Sequence, residues 1–134
     1  MKRTTLTMIW TMALAVLAVA APAARATALH FHLVKSMPRT EAMLETAPTE
    51  IKLWFSEEPQ EGATSLRLVG PGDEMVELGE VARSKDDASM VFAKVSGQVP
   101  MGVSKIMWRA MGRDGHVVRG EYTFSVHSAE SSGR

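Results

Sequence analysis

The feature that most constrains the fold is a short apolar alternation, met again and again along the chain and broken each time by turn residues. Ile51, Leu53 and Phe55 share one face of an extended segment at 51–56. Residues 65–69 follow, closed by Gly70-Pro71-Gly72-Asp73, a strong turn signal. Residues 74–78 form a short run ended by Gly79, and residues 89–95 another after the charged loop 83–87. A turn region at 97–102 leads into 103–110, where Ile106, Trp108 and Ala110 share a face. Val118, Gly120, Tyr122, Phe124 and Val126 line one face of the last segment. Period-two patterning of this kind belongs to half-buried strands.

With residues 30–34 as a first strand before Pro38, the count is seven short strands. Turn signals roughly every 8–12 residues indicate an all-β sandwich or barrel. The chain is too short to enclose a ligand-holding barrel, so the expectation is a seven-stranded Greek-key β-sandwich. Residues 41–44 are expected to form a helical turn in the first connection. Residues 128–134 (SAESSGR) are small and polar, and are expected to be a disordered tail.

The front of the chain reads differently. Met1-Lys2-Arg3 is a basic start, residues 8–20 are a continuous apolar run, and residues 21–28 (APAARATA) are small. Together they read as a signal peptide over residues 1–28, followed by one domain at 29–127. Ala24-Arg25-Ala26 and Ala26-Thr27-Ala28 are both acceptable cleavage sites. The apolar run is shorter than the roughly 20 residues a membrane span needs. Removing 1–28 takes away Lys2, Arg3 and Arg25 and no acid, which leaves 106 residues with twelve cations against fifteen acids, a charge of −3. That balance supplies no basic stripe and argues against a nucleic-acid partner.

The chain has no cysteine, which excludes disulfides, thiolate metal sites and thiol nucleophiles. Its four histidines are then the strongest metal donors. Asp114 and His116 are two apart in Gly112-Arg113-Asp114-Gly115-His116, so in an extended or turned backbone both side chains point the same way. His30 and His32 sit just past the cleavage zone. Imidazole nitrogens, a carboxylate and a newly freed amine make a nitrogen and oxygen set of the kind Cu(II) prefers. Each residue also fits a plainer role. Asp-Gly is what a strand-to-strand turn needs. His116, His30 and His32 each fit a surface histidine, and His127 beside the polar tail fits a solvated one.

At this point the sequence resembles a known family. His30-Phe31-His32-Leu33-Val34-Lys35-Ser36-Met37-Pro38 is similar to the start of mature CopC-type periplasmic copper-binding proteins. Ala47-Pro48 with residues 51–57 (IKLWFSE), residues 100–110 with Trp108-Arg109-Ala110, the Asp114-Gly115-His116 triplet and residues 120–124 (GEYTF) match further family segments in order. The resemblance covers 30–126. It implies a cupredoxin-like or immunoglobulin-like sandwich that binds Cu(II) in the periplasm. Carried over, its ligands are His30, Asp114 and His116, with Glu57 as an outer-shell group and Trp108 in the core.

Two departures stand out. Leu29 precedes His30, and cleavage after Leu29 breaks the small-residue rule. With cleavage after Ala28, His30 becomes the second residue and His32 an additional candidate ligand. The region 70–80, where some family members carry a methionine-rich Cu(I) loop, holds only Met75. No Cu(I) site is therefore expected.

The expected function is Cu(II) sequestration or delivery in copper resistance and homeostasis, without catalysis. The expected partners are an inner-membrane copper transporter or another periplasmic copper protein. Two other readings remain at this stage. One is a copper oxygenase with an N-terminal histidine, for which Trp54 is the one candidate surface aromatic. The other is an exported interaction module that binds no metal.

Overall fold

The computed structural model describes residues 30–128. The expected signal peptide, Leu29 and all but Ser128 of the expected tail lie outside the described residues. Nine strands run in the order β1 (Leu33–Met37), β2 (Ala42–Leu44), β3 (Glu50–Phe55), β4 (Ser65–Val69), β5 (Met75–Val76), β6 (Ala82–Arg83), β7 (Met90–Lys94), β8 (Gly102–Met111) and β9 (Val117–Val126). They form a four-stranded sheet, β1-β3-β7-β6, and a five-stranded sheet, β2-β9-β8-β4-β5.

The two sheets face each other across one core. Ile51, Leu53, Phe55 and Val91 come from the first sheet; Leu68, Ile106, Ala110, Tyr122, Phe124 and Val126 come from the second. Successive side chains on a strand point to opposite faces, so alternation sends every second residue inward. Each large apolar side chain buried this way contributes about 1.5–3 kcal/mol relative to exposure. The all-β two-layer expectation therefore holds.

The strand count is corrected from seven to nine, and β2 and β6 are the additions. The helical turn expected at 41–44 is not there. Glu41 takes a left-handed φ of 59°, which breaks a right-handed turn before it starts. Its N–H donates to Thr123 O at 2.7 Å, and Ala42–Leu44 then runs parallel to β9. Arg83, expected in a loop, pairs with Val91 in the two-residue strand β6. The first strand lies three residues later than expected and runs up to Pro38.

The strongest hairpin is β8–β9, with ten registered pairs from Gly102↔Val126 to Met111↔Val117. Within it Trp108 lies opposite Gly120, and a Cβ on Gly120 would meet the indole at 2.5 Å. The glycine thus leaves the space that the indole fills. Trp108 also meets Phe55 edge-on, ring centroids 5.5 Å apart. The core role expected of Trp108 matches this half-buried position against the core cluster.

Candidate metal centre

The β8–β9 hairpin is closed by residues 112–116, which carry the Asp-Gly-His triplet. Gly112 N–H donates to His116 O at 2.9 Å, and Gly115 N–H donates to Gly112 O at 3.0 Å. Gly115 sits at φ 83°, a conformation glycine takes without steric cost. Asp114 Oδ1 accepts the His116 backbone N–H at 3.0 Å, as an Asx turn does. Its Oδ2 lies 2.7 Å from His116 Nδ1. An ionised carboxylate only accepts, so Nδ1 carries the proton and donates. Nε2 is left available.

This contact sets the electrostatics of the loop. The hydrogen bond to His116 holds the Asp114 carboxyl below its usual value, helped by the backbone N–H of the same residue. The same hydrogen bond and the Asp114 charge raise His116 above its usual value. Both side chains are more than half exposed, so solvent screens the pair and exchanges freely with it.

The front segment comes to the base of this loop. Phe31 is buried and stacks on Phe55 with centroids 5.0 Å apart. A Cβ on Gly112 would meet Phe31 at 3.1 Å, so Phe31 also lies directly against the loop base. On either side the backbone is pinned to Ser56. His32 N–H donates to Ser56 Oγ at 3.1 Å, Ser56 N–H donates to His32 O at 2.9 Å, and Ser56 Oγ donates to His30 O at 3.4 Å. His32 Nδ1 donates to His30 O at 2.6 Å, which leaves its Nε2 outward. The His30 ring is exposed and makes no hydrogen bond or ion pair among the described residues.

The two distant pieces of chain therefore meet through Phe31 and Gly112, and Asp114 meets His116 directly. The side chains do not converge further. Among the described residues no three His, Asp or Glu side chains already form a group that could hold a metal ion. His127 lies at the far end of β9, half-buried and sharing a hydrogen bond with Ser125 Oγ at 2.9 Å.

Sequence reasoning missed the residues that hold the loop from below. Glu57 is half-buried and makes no hydrogen bond or ion pair among the described residues. Its neighbour Glu58 takes both Arg83 and Arg113, the latter at 2.5 Å. Arg83 Nη2 also donates to Pro59 O at 3.1 Å. Gln60 Nε2 donates to Gly112 O at 3.1 Å, and Gln60 N–H donates to Met111 O at 2.8 Å. The signal for Glu58 lay in the Glu57-Glu58 doublet, which does not say which carboxylate turns toward the loop. Trp54, the candidate surface aromatic, is half-buried with the Lys35 ammonium 4.2 Å from its ring centroid.

The chain is thus a small two-sheet all-β sandwich that carries an acid–imidazole pair on one hairpin loop, with a histidine-bearing front segment docked against the base of that loop. The chain belongs to the CopC domain family, whose model matches residues 33–127, including Asp114 and His116 but beginning just after His30 and His32. It is 30% identical to Protein YobA of Escherichia coli (strain K12) over 97 residues, covering 72% of this chain and 78% of the relative. It is 34% identical to Copper resistance protein C of Pseudomonas syringae pv. tomato over 103 residues, covering 72% and 80%. Among solved structures, PcoC, a copper resistance protein from Escherichia coli, matches with a TM-score of 0.64 and 27% identity, covering 72% of this chain and 99% of that one.

Proposed function

We propose that this chain is a periplasmic copper-binding protein that takes up Cu(II) at the hairpin loop and sequesters it or passes it on in copper resistance. Membership of the CopC family, with a relative named for copper resistance, supports the copper reading. The observation that carries the site is the docking of the His30–Phe31–His32 segment against Gly112, beside the Asp114–His116 pair. The donors offered are His116 Nε2, the Asp114 carboxylate, the His30 imidazole and the amine freed by processing. His32 Nε2 is a further donor when His30 is the second mature residue. Glu57 is an outer-shell group in this reading. The set contains nitrogen and oxygen without sulfur, which suits Cu(II) better than Cu(I).

Copper is the cargo here, and delivery goes to an inner-membrane copper transporter or another periplasmic copper protein. Imidazole and amine must shed protons to bind, so uptake weakens in acid. The deciding experiment is a Cu(II) titration of protein recovered from the periplasm, with its mass fixing the first residue and electron paramagnetic resonance reporting nitrogen ligation. His116→Ala and Asp114→Ala are expected to lose tight binding. Wild-type binding by both variants overturns the assignment of the loop.

A further inference from the structure

The outer face of the five-stranded sheet holds three arginines that the copper reading does not use. Ser104, Ile106 and Ala110 are buried on β8, so Arg109 points to the opposite face. Tyr122, Phe124 and Val126 are buried on β9, and Leu68 on β4, which turns Arg119 and Arg67 outward on the same side. Register brings them together. Arg109 stands directly opposite Arg119, and Arg67 is opposite Met107, one diagonal step from Arg109. Directly opposed side chains have Cβ atoms about 4.5–5.5 Å apart, and like charges at that spacing destabilise the pair.

Glu121 lines the same cavity and offsets part of this charge, but it does not pair with any of the three arginines. The one carboxylate on this face of β9, Glu121, is 3.6 Å from Lys105. Among the described residues none of the three arginines has an ion pair or a side-chain hydrogen bond. They surround a cavity of about 490 Å³ lined also by Ser65, Met107 and Glu121. That volume lies in the range of small-molecule sites. A guanidinium is a planar fork suited to bidentate contact with carboxylate or phosphate. The chain has a formal charge of zero, so the concentration of positive charge is local.

We propose that Arg67, Arg109 and Arg119 form a binding site for a small polyanion that carries two or more neighbouring carboxylate or phosphate groups. Two adjacent anionic groups span the Arg109–Arg119 pair, and Arg67 closes the third side. The Ser65 hydroxyl supplies a neutral donor, and Met107 gives the site an apolar wall. The site rests on the sheet register and not on metal binding.

The test uses the mature, metal-free chain, titrated by calorimetry with citrate in one arm and pyrophosphate in the other. Sodium chloride holds ionic strength constant, because exposed charges are screened by salt. Saturable binding of either probe is expected, and the stronger arm tells carboxylate from phosphate. Arg109→Gln and Arg119→Gln are each expected to weaken binding about tenfold, as loss of a charge-assisted hydrogen bond does. Lys105→Gln, which removes a charge from the same face, is expected to stay within about twofold. A fold-independent check is melting without anion, where relief of repulsion should raise the midpoint of Arg109→Gln. Binding of neither probe, or equal binding by wild type and the Arg109→Gln/Arg119→Gln double variant, overturns the proposal.

Discussion

The base and the tip of the β8–β9 loop lie within five residues of each other and are built by different physics. At the base, Phe31 is buried between Phe55 and Gly112, and Gln60 bonds to Met111 and Gly112. At the tip, Asp114 and His116 are exposed and hold mainly each other. The base fixes where Asp114 and His116 stand by burying Phe31 against Gly112. The tip keeps them in water, where a proton or a cation can arrive and leave. A rigid scaffold carrying exchangeable groups on a loop is a common division of labour.

The sharpest way to break this contrast is Phe31→Ala. Emptying a buried aromatic site costs about 3–5 kcal/mol in a well-packed core. Chemical denaturation should show a loss near the lower end, since the residue lies at the front of the domain, and copper affinity should fall with it. A stable variant with normal copper affinity would mean that the front segment is held by its Ser56 bonds alone.

Asp114→Asn acts on the tip and should leave the base intact. In the apo protein Asp114 is held low and His116 high by one hydrogen bond. The raised His116 value adds stability that is full below about 6.5 and lost as pH rises through the raised value. The lowered Asp114 value adds stability present above about 3.8 and lost as pH falls through the lowered one. The link is thus strongest in mild acid. If the proposed loop site holds copper, the ion needs the neutral ring, and its affinity should rise as pH passes the raised His116 value. In Asp114→Asn the imidazole midpoint, followed by proton NMR, should drop toward its ordinary value with unfolding at neutral pH little changed. An unmoved midpoint would show that the contact at 2.7 Å does not govern the ring.

Glu58→Gln carries the smallest effect. From the β3–β4 connection its partly exposed carboxylate pairs with Arg113 of the loop and with Arg83 of β6. Such pairs contribute about 0–1 kcal/mol. A melting shift of that size is expected, with copper affinity falling a few-fold at most. A large loss of affinity with unchanged melting would move Glu58 from tethering the loop to acting on the bound ion.

Much of this architecture was legible in the residues. β4 falls on its expected residues, and β3, β7, β8 and β9 start and stop within one or two residues of expectation, because each buries alternate side chains and so writes a period into the sequence. β2 and β6 were not legible: strands of three and two residues are too short to carry a period. β2 also depends on a left-handed Glu41 and on pairing with the end of the chain, a partner some eighty residues away. At the site, the Asp-Gly-His triplet was visible because its contact is local. The roles of Phe31, Glu58 and Gln60 arise from packing between segments far apart in sequence, and no spacing rule reports that.

Trp108 over Gly120 has a consequence for inheritance. The indole occupies the volume that any side chain on the facing residue would need. Neither position is then free to drift alone: a descendant that gains bulk at 120 must first have surrendered the tryptophan, and one that keeps the tryptophan is bound to keep the bare backbone opposite it.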